Sequence, residues 1–289
     1  MANKKNHILV PVDFSAQSHI ALDQALQLAT ATKASLTILS VMDKPMLGGL
    51  FTSAAQLEKY RKSLQKKLDK MAEDVLKLRE VSIDTLVAEG KIYEEIVDSA
   101  KKLKSKFIVM GKSDENKFIG SNTMHVVRNA PCPVISIKGT VHRPYCKNIV
   151  LPLDLTKETR EKVFKAVEMA KYFKSNICLV AVQTHTDEFL VKKLKVVLKQ
   201  VTDYIKEQGI PCTSEMIQAD HIAKAVIDYS KKAKADLIMI MTQQEREFTD
   251  LFIGSSAQQI INHSDIPVVS IRPSGKEYEY SYSATGLYS

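Results

Sequence analysis

Two stretches of the chain, FIGSNTMHVVRNAPCPVISI at residues 118–137 and FIGSSAQQIINHSDIPVVSI at 252–271, are near copies of each other. Each sets a Gly-Ser pair, Gly120-Ser121 or Gly254-Ser255, before a run with helical apolar spacing, then a proline and a short β-branched segment. The chemistry such a pair offers is anion binding. Glycine lets backbone approach closely, and the first N–H groups of a helix are free to meet a phosphate. Gly-Ser also opens helices simply because serine caps and glycine turns, so the pair alone leaves both roles open. Asp13 in VPVDFS and Asp154 in LPLDLT form a second repeated feature, each ending an apolar segment. A carboxylate there either caps the turn that follows or meets a ligand.

Other chemistries find no support in the residues. Cys132, Cys146, Cys178 and Cys212 lie far apart with no C-x-x-C and no nearby histidine pair, which argues against a zinc or redox site. No Ser or Cys sits in a G-x-S-x-G elbow, and no G-x-x-x-x-G-K-[ST] loop supplies a Walker lysine, so neither a hydrolase nor an ATPase is indicated. No metal site and no catalytic residue is assigned. The formal charge of +8 is concentrated in the first half, largely in RKSLQKKLDK (61–70) and KKLKSK (101–106). Lysines there interleave with leucine at helical spacing, as on a solvated helix face, and no aromatic platform or reader motif points to nucleic acid. No apolar run approaches the roughly 20 residues of a membrane span, and MANKKNH runs into ILVPV without a small-residue cleavage site. A cytoplasmic location without membrane attachment is the expectation.

The candidate groups sit at the ends of elements that recur in the same order in both halves. HILVPVDFS (7–15) and NIVLPLDLT (148–156) are continuous apolar runs, the mark of strands buried on both faces of a parallel sheet. Helical spacing follows each, then SLTILSV (35–41) or NICLVAV (176–182), a charged amphipathic helix, a third strand, and a helix leading into a fourth strand. The Gly-Ser stretch closes each copy as helix and fifth strand. Strand alternating with helix at this rhythm predicts two tandem α/β domains, each a doubly wound, open parallel five-stranded sheet with helices on both faces. The divisions read as 1–139, a linker 140–147 (TVHRPYCK), 148–273 and a polar tail 274–289 expected to be flexible. DKPMLGGLFTSAAQ (43–56), present only in the first copy, reads as a mobile loop over the strand ends.

The Asp-terminated first strands, the fourth strand ending VMG and the Gly-Ser-helix-Pro-strand unit with NAPCPVISI together resemble a tandem universal stress protein, two UspA-like domains in one chain, over about 7–138 and 148–272. The resemblance implies an adenine nucleotide alpha hydrolase-like fold and, in the nucleotide-binding branch of the family, ATP at the carboxyl ends of the strands. Carried over, the first copy offers Asp13, Val41, Gly111, Gly120, Ser121 and Thr123 as candidate ATP contacts, and the second Asp154, Val182, Gly254, Ser255 and Ser256. The family's Gly-x2-Gly-x9-Gly-Ser pattern is altered in both, in length in the first copy and in residue type in each. Asp114 replaces the second glycine of the first copy with only five residues before Gly120, while Met241 and Gln244 replace both glycines of the second. A non-catalytic stress-response protein is therefore implied, a sensor or scaffold with at most weak adenine nucleotide binding in domain one and a degenerate site in domain two. An ATP-binding switch or weak ATPase is the alternative. Pairing of the two domains through the fifth strands, 134–137 and 268–271, and assembly into a homodimer are also expected, since a bare edge strand is an aggregation hazard.

Overall fold

HILVP forms β1 (His7–Pro11), and its buried Leu9 and Val10 are flanked by parallel neighbours on both sides. The computed structural model describes residues 6–43, 53–76, 80–112, 122–138, 146–156, 159–184, 187–242 and 254–274. The chain divides into two units, Met1–Pro144 and Tyr145–Ser289. Most of the proposed linker, most of the 43–56 insertion and the tail from 275 lie outside the described residues.

Unit one runs β1, α1 (Ala16–Thr32), β2 (Ser35–Asp43), α2 (Ala54–Leu76), β3 (Ile83–Gly90), α3 (Ile92–Lys102), β4 (Phe107–Gly111), α4 (Asn122–Asn129) and β5 (Val134–Ile137). Its strands are all parallel in the order β3-β2-β1-β4-β5. Unit two repeats this with β6 (Asn148–Leu153), α5 (Thr159–Phe173), β7 (Asn176–Gln183), α6 (Glu188–Glu207), β8 (Cys212–Gln218), α7 (Ile222–Lys232), β9 (Leu237–Met241), α8 (Ser255–His263) and β10 (Val268–Ile271), ordered β8-β7-β6-β9-β10. The doubly wound α/β architecture expected from the alternation is what forms. Each chain path reverses direction across its sheet at the first and fourth strands of its copy, the point where open α/β sheets leave a crevice at the strand ends.

The amphipathic readings hold in detail. Helix α2 buries Leu64, Leu68 and Ala72 at four-residue spacing while Lys62, Lys66, Lys67 and Lys70 stay in solvent. The two copies also share an unusual helix ending. Lys33, Lys104, Lys174 and Lys234 adopt left-handed φ of 49° to 53°, where glycine is usual. Each precedes a residue whose N–H reaches back five positions: Ala34 to Ala29, Ser105 to Ala100, Ser175 to Ala170 and Ala235 to Ser230. A lysine there accepts some backbone strain and sets a positive charge beside the negative end of the helix dipole.

His7 ties three segments of unit one together. Its ring lies 2.9 Å from both Ser105 Oγ and Thr37 Oγ1, buried under the start of the sheet. Burial lowers its pKa from 6.5, and the charge of Asp84 opposes that shift. The folded unit thus takes up this proton less readily than the unfolded chain. The stability conferred is present above pH 6.5 and is lost as pH falls toward the folded value. The urea midpoint of unit one should therefore fall between about pH 7.5 and pH 5.5, and less steeply in His7→Gln. Equal pH dependence in the two proteins would contradict this role.

Candidate functional site

At the unit-one crevice, Asp13 folds the chain over the end of β1. Its Oδ1 accepts from the Ser15 backbone N–H at 3.0 Å and the Ser15 hydroxyl at 2.6 Å. Ser15 in turn is the N-cap of α1, accepting from the Ser18 N–H. Burial alone raises the Asp13 pKa, but the Ser15 and Ser18 hydrogen bonds outweigh it and hold the carboxyl below its ordinary value. Between them Phe14 takes φ 65°, a left-handed conformation that costs a bulky residue on the order of 1–3 kcal/mol. The capping role left open by the sequence is thus realised.

Gly111, at the end of β4, faces α1. A Cβ built there would lie 2.6 Å from the Gln17 carbonyl carbon and 2.8 Å from the Ser18 nitrogen. The glycine is required for helix and strand to meet, whatever else the crevice holds. Val41 lies half-buried two residues before the end of β2, and Thr123 lies buried in the first turn of α4. Gly120 and Ser121 lie outside the described residues, as do Asp114 and Gln244.

Unit two meets the same junction with different residues. Met241 stands in register where Gly111 stands in unit one, and α5 lies less closely on β9 than α1 lies on β4. Lys162 on α5 occupies the place of Ala21, eight residues after the strand-end aspartate in each copy. Asp154 Oδ1 accepts from the Thr156 N–H at 3.0 Å, the Thr156 hydroxyl and the Thr159 hydroxyl, while Oδ2 meets Lys162 Nζ at 3.3 Å. Burial pushes the Asp154 pKa up, but Lys162 and the two threonines prevail and hold it well below the usual carboxylate range.

A cavity of about 500 Å³ opens here, a size typical of small-ligand sites. Val182, Leu190, Val191, Leu194, Ile240 and Met241 give it an apolar wall, while Asp154, Thr156 and Lys162 line its polar side. Gly254, Ser255 and Ser256 bring in the start of α8, whose N-cap glycine makes no side-chain capping bond. All five unit-two candidates, Asp154, Val182, Gly254, Ser255 and Ser256, line this one cavity. Thr156, Thr159 and Lys162 were not singled out from sequence. The signal for Lys162 was a lysine on the stripe Lys162–Ala166–Ala170, which the helical period assigns to the core. Burial pushes the Cys132, Cys146 and Cys212 thiols up to about 12, which keeps them protonated. Among the described residues no group of three or more His, Cys, Asp or Glu could hold a metal ion, and no helix is long and apolar enough to cross a membrane.

The model of the universal stress protein family matches residues 5–138 and again 146–272. The chain belongs to the universal stress protein family. A universal stress protein of Methanocaldococcus jannaschii is 33% identical over 145 residues, covering 45% of this chain and 85% of that protein. Universal stress protein A of Escherichia coli is 26% identical over 140 residues, covering 44% of this chain and 95% of its own length. A crystal structure of a universal stress protein from Archaeoglobus fulgidus aligns over 92% of this chain and 96% of its own, with a TM-score of 0.76 at 18% identity, a likeness of fold. The tandem arrangement expected from the repeated motifs is thereby established.

The two junctions make opposite demands on size. Gly111→Ala should destabilise unit one by about 1–3 kcal/mol through overpacking against α1, whereas Met241→Ala should cost unit two about 2–5 kcal/mol by emptying its place. Urea unfolding of the two variants checks both, and a neutral Gly111→Ala would contradict the close approach.

The Asp154–Lys162 pair is asymmetric, with side-chain exposures of 46% and 5% respectively. Asp154→Ala strands a buried ammonium and should cost roughly 2–4 kcal/mol, less than for a fully enclosed pair. Lys162→Met leaves a hydrated carboxylate that the threonines still hold, and should cost about 1 kcal/mol. Denaturation midpoints in which Lys162→Met is the more damaging change would contradict this ordering.

Proposed function

We propose that the protein is a non-catalytic, cytoplasmic stress-response protein, a sensor or scaffold that takes an adenine nucleotide at the strand ends. The observation that carries this reading is the unit-two cavity, where an apolar wall, a strand-end carboxylate and an uncapped helix start converge on a space of ligand size. Family membership supports the same ligand class, by the resemblance at Asp154, Val182 and the Gly-Ser helix start. An adenosine body fits against Val182 and the α6 leucines, and the start of α8 offers N–H groups to an anion. Met241 in the place of a glycine makes weak binding the expectation, and the sequence carries no Walker loop to supply phosphoryl transfer. In unit one, Asp13, Val41, Gly111, Gly120, Ser121 and Thr123 remain the candidate contacts of a weak adenine nucleotide site. Association of the two copies through edge strands 134–137 and 268–271, and of two chains into a homodimer, belongs to the same proposal, supported by the hazard of bare VISI and VVSI edges.

Calorimetric titration with ATP, with and without Mg²⁺, tests the reading. Saturable binding tighter than about 1 mM without phosphate release is the expected result. Val182→Trp fills the unit-two cavity and should weaken binding there at least tenfold. The absence of heat, thermal shift and co-purified nucleotide would overturn the proposal, and steady phosphate release would favour the ATPase alternative.

A further inference from the structure

Lys162 is the one cationic side chain lining the unit-two cavity among the described residues, and capping of Asp154 does not require it. Thr156 and Thr159 already satisfy Oδ1 of that carboxylate. The ammonium has three N–H donors, its side chain is 95% buried, and Asp154 Oδ2 at 3.3 Å is its one acceptor among the described residues. That distance is long for a charge-assisted bond. Two of its donors therefore meet no acceptor among the described residues, which suits the arrival of an oxygen-rich group. The same cavity is lined by Gly254, Ser255 and Ser256, where the uncapped first turn of α8 adds N–H groups and the positive end of its dipole.

We propose that Lys162 and the first turn of α8 together hold the single compact anionic group of a nucleoside monophosphate in unit two. The inference rests on the adenine nucleotide reading above and narrows it. One ammonium, shared with Asp154, and one helix start supply positive charge for no more than a single phosphate. The side chain of Met241 lines the same cavity and takes up room that a longer phosphate chain would need. Because Lys162 provides the counter-charge, binding needs no Mg²⁺. Unit one carries Ala21 in the place of Lys162.

The test is calorimetry on the full chain with AMP, adenosine and Mg·ATP as probes. AMP should bind at least about tenfold more tightly than adenosine and no more weakly than Mg·ATP, with no change on adding chelator. Added salt should weaken AMP binding and leave adenosine unaffected, as expected of an ionic contact. Lys162→Met should bring AMP down to the affinity of adenosine while leaving adenosine within about threefold. The charge-balanced double variant Asp154→Asn/Lys162→Met, which strands no carboxylate, should show the same loss. Equal affinities for AMP and adenosine in the unaltered protein, or an AMP preference that survives both variants, would overturn the role of Lys162 while the nucleotide reading stands. Failure of all three probes to bind would overturn both.

Discussion

The crowding of the first helix against the end of the fourth strand governs the crevice in each copy of the fold. In a doubly wound sheet the crevice lies where the chain path reverses, so whatever fills that junction decides how much room a ligand finds. Unit one resolves the crowding with Gly111, and α1 comes down until the Gln17 and Ser18 backbone lies where a Cβ would be. Unit two places Met241 there, and α5 rests less closely on its strand. Protein interiors are close-packed, so one side chain at such a contact moves a whole element rather than being absorbed locally.

The rest of the unit-two site follows from that separation. Lys162 replaces the buried Ala21 of unit one, and an ammonium so placed needs a partner. Asp154 supplies it, and the threonines at 156 and 159 hold Asp154 in turn. The same carboxylate position that caps a turn in unit one becomes, in unit two, one end of an ion pair in the wall of a cavity. Divergence between the copies is thus a change in what the crevice offers, and not merely the loss of a phosphate loop.

The fold was legible in the sequence because its signals are redundant. Continuous apolar strands, helical spacing and a repeated order of elements all pointed to one topology, and each copy checked the other. Capping by the strand-end aspartates was also readable, since Asp followed by Ser or Thr two residues later is a local turn signal. The site was only partly readable. Asp154, Val182 and the Gly254-Ser255-Ser256 start could be placed because they sit at strand and helix ends, which the pattern locates. Lys162 could not, because its role depends on how far α5 stands from β9, a tertiary distance with no local signature beyond a lysine on an apolar stripe. Gly111 illustrates the converse. Its type suggested phosphate approach, yet the contact that requires a glycine is with the backbone of its own first helix.

The altered unit-two crevice is proposed as a binding site in its own right. A crystal structure of the full chain grown with AMP tests it most directly. Electron density for the phosphate between Lys162 and the Gly254–Ser256 turn, with the base against Val182, is the expected result. Nucleotide seated instead between Asp13 and Thr123, with the unit-two cavity holding only water, would contradict it.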